Sequence, residues 1–459
     1  MEEEVDDIGE NIWCAFSWRA GISSKTRLIR TYFENLSFPE CQRQMLDFLD
    51  TYFAAYFDED AVSRDIGLVT KFKNANVVQV LSDEFFFGSL DDAEFSAVQE
   101  LKLLEILCGY FEGDKVDPVK YLVFDCLFGN VTDEEIKDIS REIKINFLAK
   151  LLSIAVGIKC KLALEYCALM FQKIGWNSKC YSVVMNIVKD FCFMVPPASC
   201  ILEDIVQISP NFARELTELV PVLYSFNDRR KPGAADEEYN SPKGLPPIAL
   251  IRIIGSWLTN QTGYCMSAKG HPFSSFPSVY VGQESIKKPK VDKCAIIGLL
   301  HWSVLSPLFA DVKIKSSIQG IISYSLDGNA VLEATKLRNA SSQLHYGIIN
   351  FFAMHRKVES NVSGDEDDLE PGEVSEQAKQ RNLINESDIK DVIDNLDETV
   401  QKLKDHITEE KLGYSIDRLA QIIQVGKWSG CLTPTSKKFK HVLKKLPKTK
   451  LFSKVLKTL

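Results

Sequence analysis

The sequence lacks the punctuation of a catalytic protein. It contains no HExxH, no paired CxxC and no EF-hand loop, which removes the common zinc and calcium frameworks. The six histidines (His271, His301, His345, His355, His406 and His441) are scattered, and no two stand at a ligand-like helical spacing. His301 and His345 lie in helical runs, where a hydrogen-bonded structural imidazole is the simpler role. Neither GxxxxGK[ST] nor GxGxxG occurs, and the strand–helix alternation that carries such phosphate loops is missing. GxSxG and the kinase motif set are absent as well. The adjacent acids Asp91–Asp92 and Glu134–Glu135 read as charges of first helical turns rather than acid–base pairs. No catalytic, metal-binding or cofactor-binding residue is assigned, and the chain is expected not to be an enzyme.

Long apolar runs are missing too. No uninterrupted stretch approaches the roughly 18 residues a membrane span needs. The opening MEEEVDDIGE lacks the positive flank and apolar run of a secretion signal. The expected compartment is therefore cytoplasm or nucleus, with no membrane partner. On that expectation the glycosylation matches at Asn35, Asn130, Asn260, Asn339 and Asn361 are chance ones. The 12 cysteines are irregularly spaced, and Cys108, Cys126, Cys167 and Cys192 sit inside apolar segments. They read as buried thiols of a helical core rather than a disulfide framework. Basic residues are in the minority: the formal net charge is −9. That balance favours solubility and argues against general nucleic-acid binding, leaving only a local basic patch.

What is present is helical periodicity. Of the 459 residues, 45% are hydrophobic, enough for a substantial core. Residues 41–57 place Met45, Phe48, Leu49, Tyr52 and Phe53 on one side at three- and four-residue steps. Residues 94–111 repeat this with Val98, Leu101, Leu104 and Cys108, widened by Leu103, Ile106 and Leu107. A partner helix follows at 116–129. Thr132 with Glu135 reads as a capping box opening the next helix. Further segments follow at 145–158, 159–175 and 180–196, the last stopped by Pro196 and Pro197. Ser209–Pro210 reads as a cap with proline in the first turn, opening 211–226. Later segments lie at 248–258, 293–309, 314–326, 334–355, 389–407 and 415–430. The fold class is all-α: stacked helical hairpins, HEAT-like or an irregular α-solenoid, with flexible charged segments. No repeated residue signature accompanies it.

The expected organisation is an acidic flexible extension (1–25), an N-terminal helical repeat region (26–226) and a polar, Gly- and Pro-containing linker (227–247). A second helical region (248–358) follows, with an irregular insert at 263–292. Then come an acidic disordered linker (359–383), C-terminal helices (384–436) and a lysine-rich amphipathic tail (437–459). Trp13, Phe16 and Trp18 stand in the first extension, suited to anchoring either on the protein's own body or on a partner. Ser360, Ser363 and Ser375 lie in acidic surroundings, open to phosphorylation or simply solvated. Trp176, Trp257 and Trp302 read as core; Trp13, Trp18 and Phe452 read as interface candidates. The tail holds nine lysines (437, 438, 440, 444, 445, 448, 450, 454 and 457) and no acid, with Phe439, Val442, Leu443, Leu446, Leu451, Phe452, Val455 and Leu456 between them. Three readings compete: contact with RNA or DNA phosphates, a nuclear import signal, or an apolar side packed on the body or a partner with solvated lysines. The third needs the fewest assumptions and accounts for the apolar residues.

Several segments resemble, in order and approximate spacing, the subunit 15 family of the Integrator complex. They are LKLLEILCGYF (101–111) with YLVFDCLFG (121–129), LAKLLSIAVGIKCKLALEYCALMFQK (148–173), VVMNIVKDFCFMVP (183–196) with ISPNFARELTELVPVLY (208–224), LLHWSVLSPL (299–308) and SIDRLAQIIQVGKWSG (415–430). The resemblance departs at the acidic start, at 263–292 and at the lysine-rich end. It implies a nuclear, non-catalytic structural subunit linking a peripheral module to the core of an assembly active in small nuclear RNA 3′-end processing and RNA polymerase II transcription. Integrator subunits 10, 13 and 14 are the implied partners, with RNA polymerase II reached indirectly. The alternative is a helical nucleic-acid-binding adaptor acting through the lysine-rich end. A cytoplasmic transport adaptor is a third class, with no specific feature to support it.

Overall fold

The computed structural model describes residues 36–54, 82–83, 86–87, 96–129, 138–174, 178–194, 196–224, 245–260, 294–320, 327–362, 384–403, 407–432 and 436–459. Among them the secondary structure is helical, with the single bridge Ile384–Leu432 and no strand. Trp13, Phe16, Trp18, the Thr132 capping box, Trp176, the 263–292 insert and most of the acidic stretch after 359 lie outside the described residues. The chain divides into two compact units, Met1–Ile187 and Val188–Leu459.

The first unit contains α1 (Glu40–Ala54), α2 (Ala97–Tyr110), α3 (Pro118–Phe128), α4 (Asp138–Ile158), α5 (Lys161–Ile174) and most of α6 (Ser178–Val188). Local chemistry sets the starts of α2 and α3. Ser96 and Gln99 form a reciprocal capping box, and Asp117 caps α3 ahead of Pro118. The core is aromatic. Phe124 stands 5.5 Å from Phe111, 5.0 Å from Phe128 and 5.9 Å from Tyr166, ring centre to ring centre. Tyr166 on α5 reaches the Asp117 backbone, accepting from its N–H and donating to its carbonyl, both at 3.0 Å. The cap of α3 is thereby pinned to α5.

One expectation fails in α2. Val98 and Leu101 are exposed (78% and 61%), and the buried stripe is Leu103, Leu104, Leu107 and Cys108, continued by Phe111. The segment is apolar nearly all round, so its period left the buried face open; α2 turns toward α1 and α4 the side nearest Phe111.

The second unit opens, after the last residue of α6, with a π-helical turn (Lys189–Met194) and a short 3-10 turn at Pro196–Ala198. It comprises α7 (Ser199–Ile208), α8 (Pro210–Leu223), α9 (Ile248–Asn260), α10 (Cys294–Gly320), α11 (Asp327–Val362), α12 (Glu386–Lys402), α13 (Glu409–Ser429), α14 (Lys437–Leu443) and α15 (Lys450–Thr458). The Ser209 cap is present: its hydroxyl accepts from the Phe212 amide, with Pro210 opening the helix. Helices stack on near neighbours in the chain: α7 on α8 and α9, α8 on α10, α9 on α11. The long α10 and α11 form the centre, and α12 and α13 pack against them.

Two sequence-separate segments, 293–309 and the start of 314–326, are one helix here, since α10 runs through Pro307 to Gly320. Trp257 and Trp302 are buried as expected. Their indole N–H groups donate to the carbonyls of Glu203 (2.8 Å) and Tyr224 (3.3 Å). No disulfide joins the described cysteines. Burial pushes the thiols of Cys108, Cys126 and Cys192 up to about 12, which suppresses thiolate chemistry.

Candidate functional site

The most organised chemistry in the second unit is a polar seam where α10, α11, α12 and α13 meet, buried at Ser303, His301, His345 and Asn395 and open to solvent at Ser342 and Gln421. Its origin is Pro307. Proline has no amide hydrogen, so the carbonyl four residues earlier, on Ser303, loses its helical donor. Arg418 on α13 supplies one: its Nη1 donates to Ser303 O at 2.7 Å, and its Nη2 donates to Ser342 Oγ on α11 at 2.9 Å. A planar fork that reaches two helices at once is a task for arginine rather than lysine. Burial lowers the Arg418 pKa to about 10, still charged at neutral pH.

His345 on α11 completes the join. Its Nε2 meets Gln421 Oε1 on α13 at 2.7 Å and its Nδ1 meets Ser303 Oγ on α10 at 2.9 Å. The amide oxygen accepts only, so Nε2 carries the proton and Nδ1 accepts from the serine hydroxyl. Burial lowers the His345 pKa to about 4 and keeps the ring neutral. His301 uses the opposite tautomer. Its Nδ1 donates to Ile297 O at 2.8 Å, and its Nε2 accepts from Asn395 on α12 at 2.9 Å. Both histidines are hydrogen-bonded structural imidazoles, as the sequence suggested.

Ser303, His345 and Gln421 superficially follow a nucleophile–base–orienter order. The third member is a neutral amide, which does not stabilise an imidazolium. Ser303 is wholly buried, and the ring stays neutral at every pH near neutrality. The arrangement is therefore a helix clamp. Among the described residues no group of three His, Cys, Asp or Glu side chains is placed to hold a metal ion, and no helix is long and apolar enough to cross a membrane.

The clamp fixes what α13 presents outward. Ile416, Leu419, Ile422 and Ile423 face the core, while Tyr414, Gln421 and Trp428 recur at seven-residue steps on the other side. Tyr414 and Trp428 are each 57% exposed. Tyr346, next to the clamped His345, is 59% exposed. Tyr414 and Trp428 thus stand one seven-residue step to either side of Gln421, where α13 is joined to α11. The sequence reading grouped Trp428 with a family element and missed it as a surface residue; the seven-residue repeat opposite the isoleucine stripe was the available signal.

The lysine-rich end folds as α14 and α15. Ser436 and Thr449 cap them, accepting from the amides of Phe439 (3.2 Å) and Phe452 (3.0 Å). Phe439, Leu443, Leu446, Phe452 and Val455 are buried, with α14 packed on α12 and α15 on α13. Phe452, an interface candidate by sequence, is fully buried. The Thr449 cap sets the helix phase that turns it inward, so its role is packing. The lysines remain outside: all nine are exposed except Lys440, which is half-buried.

Comparison with known proteins agrees with this picture. The family model described as Integrator complex subunit 15 matches residues 27–448. The protein named Integrator complex subunit 15 from Danio rerio is 24% identical over 386 residues, covering 82% of this chain and 70% of the relative. Those of that name from Mus musculus and Homo sapiens are each 23% identical, over 426 and 427 residues, covering 90% of this chain and 83% of the relative. The match includes α10, α11 and α13, whose segments carry the Pro307–Arg418 and His345–Gln421 joins, and ends before α15. The chain belongs to the Integrator complex subunit 15 family.

Proposed function

We propose that the protein is a non-catalytic structural subunit of the Integrator complex, working in the nucleus, and that it links a peripheral module to the core during small nuclear RNA 3′-end processing and RNA polymerase II regulation. Family membership supplies the assembly. The observation that supports a docking role is the exposure of Tyr346, Tyr414 and Trp428 on α11 and α13, two helices joined by the clamp. Accessible tyrosine and tryptophan on a fixed scaffold are the usual energetic anchors of protein interfaces. The occupant is a segment of another Integrator subunit, with subunit 10 first and subunits 13 and 14 beside it. RNA polymerase II is reached through the assembly.

The test is affinity purification of the tagged full chain from nuclear extract at moderate salt. Integrator subunits should co-purify in near-equal amounts, with subunit 10 strongest. The Tyr414→Ala/Trp428→Ala variant should retain its helicity and melting temperature yet lose at least tenfold of this recovery, the effect of removing about 2 kcal/mol of anchor energy. Failure of the wild-type chain, under conditions where another Integrator subunit recovers the complex, sinks the assembly role. Undiminished recovery by the double variant sinks the assigned surface alone.

A further inference from the structure

The lysines of α14 and α15 share no residue with the docking surface just described. Nine of the chain's 54 basic residues lie between 437 and 457, and none of its 63 acidic residues lies between 437 and 459. The rest of the chain therefore carries a formal charge of −18. Nine lysines within 21 residues of an otherwise anionic protein, eight of them exposed and the ninth half-buried, make a strong local field that draws a polyanion.

Folding sharpens that field. An unstructured lysine tail would spread its charges, whereas here the apolar side of each helix is committed to α12 and α13. Further contacts fix the pair. The Ser436 N–H and Oγ donate to Glu386, Thr449 Oγ1 donates to Asp417, and Lys427 Nζ donates to Thr458 O at 3.0 Å. Glu386 and Asp417, the carboxylates beside the two helix starts, are thus occupied by hydroxyl and amide donors. Among the described residues no carboxylate lies within 4.0 Å of any of the nine ammonium groups. Lysine costs little to keep solvated, so the absence of partners is no strain; it leaves the charges available.

The chemistry of the face selects among anions. It contains no arginine, hence no planar fork for bidentate recognition of a carboxylate or a base edge. Its two phenylalanine rings, Phe439 and Phe452, are buried, which leaves the small imidazole of His441 as the one exposed ring between 437 and 459. What remains is an array of point charges, suited to the repeating phosphates of a nucleic-acid backbone and indifferent to sequence. A receptor reading these lysines on an extended chain would first have to expose Phe439, Leu443, Phe452 and Val455.

We propose that the lysine face of α14–α15 binds the sugar–phosphate backbone of nucleic acid without sequence preference, giving the protein a nucleic-acid contact separate from its protein-docking surface. The full chain is titrated into a labelled DNA duplex of about 20 base pairs and into unrelated RNAs of about 20 nucleotides, from about 50 to 200 mM salt. Binding should be similar across sequences and fall linearly in log affinity against log salt. Lys444→Gln/Lys445→Gln/Lys448→Gln should weaken it at least tenfold on every sequence and reduce the salt slope by about 1 for each lysine in contact. The corresponding triple arginine variant should bind at least as well as wild type, and helicity should be unchanged in both. Absence of binding at the lowest salt, or wild-type affinity in the glutamine variant, overturns the proposal. Equal or tighter binding of a polyglutamate peptide of matched charge overturns it too, in favour of an acidic protein partner.

Discussion

Pro307 and Arg418 lie 111 positions apart, yet one residue's missing hydrogen is answered by the other's guanidinium. This type of compensation makes single side chains in the clamp consequential. His345→Gln removes the hydrogen-bond partner of Ser303 and should cost about 1–3 kcal/mol at neutral pH, the price of a stranded buried polar group. Its pH dependence is diagnostic. The ordinary histidine value is about 6.5, and in the folded protein it is about 4. Between those values the unfolded chain binds the extra proton, so stability is complete above about 6.5 and falls as pH drops. The loss should reach about 2 kcal/mol by pH 5. Glu218 opposes it: burial and the neighbouring Glu215 raise its carboxyl to about 7, so the folded state holds its proton and loses stability as pH rises through 4.5 to 7. The wild-type profile is therefore flattened. Denaturant midpoints of wild type and His345→Gln, compared at pH 7 and pH 5, isolate the histidine, and the gap between them should narrow at the lower pH. In the first unit, Lys144 is almost wholly buried and pairs with Asp83 at 2.5 Å. Asp83→Ala strands that ammonium and should destabilise by about 3 kcal/mol, the low end for a buried pair because Asp83 is itself 33% exposed. Adding Lys144→Met should recover much of the loss in a chemical melt. None of these pairings was legible in sequence, because each joins residues tens of positions apart and leaves no local periodicity.

At the scale of elements, helix type and order were legible, and helix phase was only partly so. Where one face is apolar and the other more polar, as in Ile416–Ile423 against Tyr414 and Gln421, the period identifies the buried side. Where apolar residues surround the helix, as in α2, it does not, and Val98 and Leu101 proved exposed. Close approach was also hidden. Gly255 on α9 sits so near α11 that an added methyl would stand 2.8 Å from the Leu344 amide nitrogen and 3.1 Å from its Cα. Gly347 faces back, with Leu258 Cβ at 2.7 Å from such a methyl. The obstruction at Gly255 is backbone, which cannot rotate away. Gly255→Ala should therefore separate α9 from α11 and cost about 1–3 kcal/mol, despite alanine's better helix propensity of up to about 1 kcal/mol. A thermal melt gives the sign: a raised melting temperature would mean that the two helices do not cross as closely as described.

For the whole molecule, the clamp, the aromatic surface and the lysine face make separable demands on one chain. At 23–24% identity to its relatives, much of the side-chain detail differs while the family match still spans residues 27–448. A buried framework specified by helix patterning withstands such change better than surface chemistry, which is rewritten residue by residue. Variants should accordingly fall into three classes. Gly255→Ala, acting through the packing of α9 on α11, should lower the melting temperature and reduce Integrator recovery together, with recovery returning when the experiment is run cold. Tyr414→Ala/Trp428→Ala should reduce recovery at least tenfold at every temperature without altering the melt. The lysine-to-glutamine triple should leave both untouched and change only salt-sensitive nucleic-acid binding. The cross-terms carry the weight: if neutralising the lysines also removed the Integrator subunits from a stably folded chain, the basic face would belong to the protein interface, and the division of labour between α13 and α14–α15 would be wrong.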